Sequence, residues 1–472
     1  MRFLIYYLPI ALLAFFITFP CLAEENPEDY LDSTMPASWQ AQQEYFQTLP
    51  TEDAWWETFN DPVLTQLIEK AVKNNFNVAT AIKRIEMAKK EIRIAQAGSY
   101  PDISLSAGWT KTQEAGAMSG NKNVKGLSEK YFSLGASMNW EIDVFGRVYA
   151  QAKEKKAAYD VSRADYDAVM VSLCANVATA YMQLRTYQEE LRVAKQHIES
   201  QSYVCKITEA RFNAQLADML DVTQAKVVLY ETESTLPTLE ANIRSTKNSI
   251  ALLTGEYPGA LDDLLADDGL MPDYRQTVAT GIPSDLLRRR PDIVESEMEL
   301  AEYAAAIGIT KKDFLPTLSI TGQIGTDSRD IKGLFGKNSL TYSIAPQLSW
   351  TLFEGFARNY SVQEAKLQFE AAIDQYNLTV MNAVEEVDNA LASYVGYLNA
   401  IELQKRVVEE SKKSMDLSFE LYRSGLTMFT NVVDGQISWL TSQNTLITMQ
   451  GNALASLVSL YQALGGGWES KN

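Results

Sequence analysis

Residues 131–143 read Tyr131-Phe132-Ser133-Leu134-Gly135-Ala136-Ser137-Met138-Asn139-Trp140-Glu141-Ile142-Asp143, and their alternation decides the fold. Successive side chains of a strand point to opposite faces, so Phe132, Leu134, Ala136, Met138, Trp140 and Ile142 share one side, and Ser133, Gly135, Ser137, Asn139, Glu141 and Asp143 the other. The same texture appears at 101–109, Pro-Asp-Ile-Ser-Leu-Ser-Ala-Gly-Trp, and again where Leu318, Ile320 and Ile324 alternate with Ser319, Thr321 and Gln323. It returns a fourth time where Tyr342, Ile344, Leu348, Trp350 and Leu352 alternate with Ser343, Ala345, Gln347, Ser349 and Thr351. Four two-faced strands of about ten residues suit a transmembrane barrel, and Trp109, Tyr131, Trp140, Tyr342 and Trp350 near their ends suit the aromatic belts at a membrane interface.

The strands belong to a duplicated unit. Ile92-Arg93-Ile94-Ala95-Gln96-Ala97-Gly98-Ser99-Tyr100-Pro101 aligns with Ile307-Gly308-Ile309-Thr310-Lys311-Lys312-Asp313-Phe314-Leu315-Pro316 at an offset of 215, and from Trp140 and Trp350 onward the offset is 210. A loop between the prolines and the tryptophans is therefore five residues shorter in the second copy. After each strand pair the period becomes helical. Phe369, Ile373, Tyr376, Val380, Val384, Val387, Leu391, Tyr394, Leu398 and Ile401 step by three or four, and the seam continues to Val408, Met415 and Tyr422. The first copy repeats it from Tyr159 through Met170, Cys174, Val177, Tyr181 and Leu184 to Cys205 and Phe212. From Gly146 to about Gln215 there is no proline, so a continuous helix would run roughly 100 Å. Breaks at 213–221 and 424–431, followed by returning helices ending near Thr254 and Leu464, make two antiparallel helical hairpins.

These patterns divide the chain into a signal peptide at 1–23, an N-terminal periplasmic segment at 24–58, a first repeat at 59–254, a connecting segment at 255–283, a second repeat at 284–464 and a tail at 465–472. The first repeat comprises a helix at 60–98, a β-hairpin at 101–144 and a helical hairpin at 146–254. The second comprises a helix at 284–312, a β-hairpin at 316–354 and a helical hairpin at 356–464. The leader carries Arg2, an apolar run from Phe3 to Pro20 and small residues before a cut after Ala23. Cys21 is a rival acylation site, with Thr18 and Pro20 around it where a lipobox has an aliphatic and a small residue.

Composition removes several functions. The chain has 472 residues, 42 Lys plus Arg against 60 Asp plus Glu, and a net charge of −18, the wrong sign for gripping nucleic acid. A single histidine, His197, excludes His-rich metal centres and HExxH sites, and no catalytic constellation is visible, so no enzyme activity, cofactor or metal is expected. Cys174 and Cys205 occupy seam positions held by Val384 and Met415 in the other copy and read as inert core thiols.

Four strands cannot span a bilayer alone, because both outer edges would present unpaired N–H and C=O groups to hydrocarbon. Bacterial barrels have at least ~8 strands, so self-assembly is the economical solution. Here the sequence resembles a known family. Pro283-Ser284-Asp285-Leu286-Leu287-Arg288-Arg289-Arg290-Pro291-Asp292, Asn139 to Arg147, Ser349-Trp350-Thr351-Leu352-Phe353-Glu354-Gly355 and Leu460-Tyr461-Gln462-Ala463-Leu464-Gly465-Gly466-Gly467-Trp468 are similar to segments of the TolC-like outer membrane factors, in the branch serving resistance-nodulation-division pumps. The resemblance implies an α+β membrane protein that assembles as a homotrimer. Twelve strands would close one outer-membrane β-barrel, and twelve helices would continue it as a periplasmic α-barrel. It further implies passive export of substrate delivered by an inner-membrane pump and a membrane-fusion adaptor, in contact with outer-membrane lipid. Two alternatives stay open: a periplasmic coiled-coil adaptor or scaffold, and a type I secretion exit duct of the same fold.

An exit duct needs a gate, and the hairpin turns are its natural place. By position the resemblance makes Asp434 a constricting ring residue and Tyr422, followed by Arg423, a tether between helices, with Asp218 and Asp221 in the first-copy turn. Carboxylates gathered by threefold symmetry would favour cations and bind divalent ions. The alternative is that Asp218, Asp221 and Asp434 simply cap exposed helix ends. The Arg288-Arg289-Arg290 run reads as a solvated or salt-bridged face of a helix starting at Pro283-Ser284-Asp285, and Gly465-Gly466-Gly467 as a helix C-cap.

Overall fold

The computed structural model describes residues 46–47, 54–113, 128–266, 271–272, 278–279 and 289–466. The expected signal peptide with Cys21, the residues before Phe46, the helix start at Pro283-Ser284-Asp285, Arg288 and the tail from Gly467 lie outside the described residues. The elements in order are β1 (Phe46–Gln47), α1 (Pro62–Asn74), α2 (Phe76–Ala97), β2 (Asp102–Gln113), β3 (Ser128–Ile142), α3 (Arg147–Asn213) and α4 (Met219–Leu253). They continue with β4 (Val278–Ala279), α5 (Pro291–Lys312), β5 (Thr317–Ser328), β6 (Leu340–Ser349), α6 (Ala357–Arg423) and α7 (Phe429–Ala463). The duplication is visible in the boundaries: α3 and α6 are both 67 residues long, α4 and α7 both 35, and each start moves by 210 positions. Among the described residues no helix is long and apolar enough to cross a membrane.

The chain forms two compact units, and β2, β3, β5 and β6 belong to the one containing residues 85–113, 128–162 and 296–376. Its sheet is antiparallel in the order β2-β3-β5-β6. Directly paired residues share a face, and the register places like with like. Ile103 opposes Met138, Leu105 opposes Ala136 and Trp109 opposes Phe132, while Ser104 opposes Ser137 and joins it through the hydroxyls at 2.8 Å. Ala136 in turn opposes Ile324, which opposes Tyr342, so the apolar face crosses all four strands. That face is open: Leu105, Ile344 and Leu348 are 80%, 76% and 66% exposed. The tryptophans of the repeat do equivalent work. Trp140 Nε1 donates to the Ser99 carbonyl at 2.9 Å and Trp350 Nε1 to the Phe314 carbonyl at 2.9 Å, each stapling a strand end to the turn before its hairpin.

The second unit contains residues 54–84, 163–266, 289–295 and 377–466, with β1 and β4 paired in parallel. The seam anticipated from the heptads is buried there. Met170, Val177, Tyr181 and Leu184 are fully enclosed, as are Val387, Leu391, Tyr394 and Ile401 in the other copy. Trp55 stacks on Tyr461 with ring centroids 5.2 Å apart, and Tyr181 Oη donates to Asp61 Oδ2 at 2.6 Å. Asp61 also caps α1, its Oδ1 accepting from Val63 N at 2.9 Å, with Pro62 at the first helical position.

One expectation changes here, and another is narrowed to one of its two readings. The helix expected over 60–98 is two helices, because Asn75 leaves the helical region at ψ 131 and its Oδ1 accepts from Asn77 N at 2.7 Å and Val78 N at 3.3 Å, starting α2 afresh. Arg290 follows the salt-bridged reading rather than the solvated one. It is buried immediately ahead of α5, with Nη2 2.7 Å from Asp292 Oδ2, and Nη1 2.7 Å from Glu386 Oε2 and 2.9 Å from the Ala463 carbonyl. The cation thus ties the start of α5 to the last turn of α7, where Gly465 at φ 66 closes the helix with Gly466 N donating to the Tyr461 carbonyl at 2.8 Å.

Candidate functional site

The two helical hairpins turn at 214–218 and 424–428 with matching backbone. Leu216 N donates to the Arg211 carbonyl at 2.8 Å and Leu426 N to the Leu421 carbonyl at 2.9 Å. Gln215 N and Gly425 N bond back to Phe212 and Tyr422 at 2.9 Å each. Both turns need a left-handed residue, supplied by Gly425 at φ 71 and by Gln215 at φ 59, where an L side chain costs roughly 1–2 kcal/mol. Apolar residues of the turns and of the start of α4 face outward: Leu216, Leu220, Leu426 and Met428 are 66%, 65%, 74% and 74% exposed.

Side-chain chemistry breaks the symmetry of the turns. Tyr422, in the last turn of α6, is buried and its Oη donates to Asp221 Oδ2 of α4 at 2.9 Å. Its ring meets Phe429 edge-on at 5.0 Å and closes an apolar cluster with Val204, Cys205, Ala225 and Val432. Burial first, then the neighbouring carboxylate, push the phenol up to about 12, so it stays a donor throughout the neutral range. At the equivalent positions of the other copy stand Phe212, which has no hydroxyl, and Asn431, whose Nδ2 donates locally to Thr427 Oγ1 at 2.6 Å. The cross-hairpin bond is therefore made by residues at which the two copies differ.

The other expected site residues lie apart from this contact. Asp218 holds the N-cap position of α4 but makes no side-chain cap bond, and it is exposed. Asp434 is exposed in the second turn of α7, away from the N-cap position, which Met428 fills. Capping therefore does not account for Asp221 or Asp434. The Arg423 guanidinium pairs with Glu420 on its own helix at 3.1 Å. Arg211, absent from the sequence reading, lies over the Tyr422 ring at 4.9 Å. A signal for it existed: the repeat places Leu421 at the matching position, so a cation stands beside the seam where its copy is apolar.

Higher along the same hairpins, His197 is buried, bonded through Nε2 to Gln443 Oε1, with its ring 4.3 Å from that of Trp439. Cys174 and Cys205 are free and buried. Among the described residues no group of three or more His, Cys, Asp or Glu is placed to hold a metal ion.

The family described as outer membrane efflux protein matches residues 67–256 and 282–466. Nodulation protein T of Rhizobium leguminosarum bv. trifolii is 28% identical over 412 residues, covering 87% of this chain and 86% of that protein. The solvent efflux pump outer membrane protein SrpC of Pseudomonas putida is 28% identical over 414 residues, covering 87% of each. Among solved structures, the outer-membrane channel OprN superposes with a TM-score of 0.84 at 26% identity, covering 95% of this chain and all of that one. CusC gives 0.79 at 22% identity, over 93% and 98% of the two chains, a likeness of fold.

Proposed function

This chain belongs to the outer membrane efflux protein family, and from that premise we propose that it is the exit duct of a tripartite efflux assembly, a homotrimer gated at its hairpin turns. The protein is an outer-membrane protein of a Gram-negative bacterium, with TolC-like fold and a large periplasmic helical part. The family consists of efflux channels rather than enzymes.

One observation carries the trimer: the four-stranded sheet ends on β2 and β6, whose outer edges have no partner strand among the described residues, while its apolar face is exposed. In lipid each unsatisfied main-chain group costs several kcal/mol, so the edges must meet another copy. Three copies supply twelve strands, an even number within the range of bacterial barrels. Serine, threonine, glutamine and glycine on the opposite face, as in Ser104, Ser137, Thr321, Gln323 and Gln347, suit a water-filled lumen.

The helices then form a periplasmic tunnel. At its tips Tyr422, Asp221, Asp218, Asp434 and Arg423 act as the gate, and the exposed Leu216, Leu220, Leu426 and Met428 offer an apolar surface to a helical adaptor. The duct contributes no energy to transport. Substrate delivered by an inner-membrane pump passes once the adaptor separates the tips.

The test is reconstitution. Detergent-extracted protein should have the mass of three chains and give discrete conductance steps in planar bilayers, small at rest. A monomer without conductance, or a protein that leaves the cell envelope in aqueous buffer alone, would overturn the proposal.

A further inference from the structure

We infer that Arg211 is a positioning residue of the closed state: its guanidinium clamps the second hairpin's turn and the face of Tyr422 to the first hairpin, and so aims the phenol at Asp221. The inference rests on the reading of the turns as a gate.

Three contacts converge on this one side chain at the end of α3. Nη1 donates to the main-chain carbonyl of Arg423 at 2.6 Å, Nη2 reaches the carbonyl of Leu216 at 3.4 Å, and Cζ lies 4.9 Å from the centroid of the Tyr422 ring. Arg423 closes α6 and Leu216 belongs to the turn between α3 and α4, so the fork joins the ends of both hairpins. Carbonyls in the last turn of a helix have no intrahelical partner and carry the negative end of the helix dipole, which makes a cation there favourable. The π face of Tyr422 is a third electron-rich surface, and packing a guanidinium on it fixes the ring plane and therefore the direction of its O–H. Nε is buried without a hydrogen-bond partner, a cost incurred while the two terminal nitrogens make the cross-hairpin contacts.

The duplication supplies an internal control. Leu421 occupies the position of Arg211 in the other copy, and it carries no donor. Arg211, Asp221 and Tyr422 are thus three departures from the repeat, two on one hairpin and one on the other, and all three meet at one point. Lysine would not substitute. One ammonium on a flexible stem cannot present a flat face to the ring while reaching two carbonyls in fixed directions.

The experiment compares Arg211→Leu, Arg211→Lys, Tyr422→Phe and the double variant Arg211→Leu/Tyr422→Phe as full-length protein in planar bilayers, with the thermal midpoint of the detergent-solubilised protein measured alongside. Expected are a severalfold rise in resting conductance for Arg211→Leu, a smaller rise for Arg211→Lys, midpoints within a few degrees of the parent, and a double variant no more open than the more open single one. Should Arg211→Leu fail to assemble, Arg211→Lys carries the test, and parental conductance in it overturns the inference. Opening by Tyr422→Phe with parental conductance for Arg211→Leu refutes the role of Arg211 and leaves the gate standing. Additive rises refute positioning, since the two residues would then act independently. Parental conductance in every variant removes the gate reading itself.

Discussion

Tyr422 and Asp221 are separated by 201 positions and sit on different hairpins, yet the phenol Oη reaches the carboxylate Oδ2 at 2.9 Å in a half-enclosed setting above Phe429 and Val432. A hydrogen bond to a charged acceptor contributes about 1.5–3 kcal/mol, enough in each subunit to shift a closed-to-open ratio roughly tenfold or more. Tyr422→Phe should therefore raise resting conductance with little change in unit conductance once open. The pH dependence has a definite sign. The folded phenol titrates near 12 against 10.0 for the free group, so its contribution is complete below pH 10 and is lost as pH rises toward 12. Resting conductance should be flat in this respect from pH 7 to 9 and climb above 10, and Tyr422→Phe should abolish that climb.

Asp434 is exposed near the start of α7 and has no capping role. In a trimer three such carboxylates would face one throat, where low surrounding dielectric concentrates their potential. Asp434→Ala is expected to increase resting conductance, lower cation preference and weaken block by divalent cations. The check is current against voltage with and without millimolar magnesium, and unchanged block would detach Asp434 from the gate.

The parts of this architecture that were legible beforehand are the periodic ones. Alternation over residues 131–143 and the 210-residue offset need only local geometry, and α3, α6, α4 and α7 follow that offset at both ends. Contacts made by single polar side chains were not legible in the same way. Asn75 divides a periodic helix because its side chain reaches two backbone N–H groups, a competition that apolar spacing does not register. For Arg290 the sequence left a solvated and a salt-bridged face open, and only the approach of Glu386 and the end of α7 makes it a buried tie. Arg211 was hidden for the same reason, and comparing each copy with the other, position by position, is what exposes it.

His197 is buried beside Trp439 and bonded to Gln443, and burial lowers its pKa below 6.5, with the Gln443 bond opposing the shift. Below pH 6.5 the unfolded chain binds a proton that the folded chain resists, so stability should fall as pH drops from about 6.5 toward 5. His197→Gln keeps a polar group without the titration. Its thermal midpoint should vary less than that of the parent between pH 7.5 and 5.5, and equal slopes in the two proteins would assign the acid sensitivity elsewhere.

The edges β2 and β6 yield the most direct test of assembly. They lie on opposite sides of a four-stranded sheet, with β3 and β5 between them, so a β2 residue cannot reach β6 of its own chain through a disulfide, which requires Cα atoms within about 7 Å. Neighbouring strands of a closed barrel lie about 4.8 Å apart, so a β2 residue does reach β6 of the next copy. Cysteine at Ser106, combined in turn with cysteine at Ser343, Ala345 or Gln347, keeps both thiols on the polar face, because Ser106 opposes Gly135, Gly135 opposes Gly325, and Gly325 opposes Thr341 of that same face. Oxidation should yield covalent dimers and trimers for at least one pair and none for any of the four single variants, with Cys174 and Cys205 silent because both are buried. Ladders extending beyond three chains would indicate open polymerisation rather than closure. No cross-link from any pair would mean that the edges are covered by something other than a second copy, and the trimeric duct would have to be abandoned.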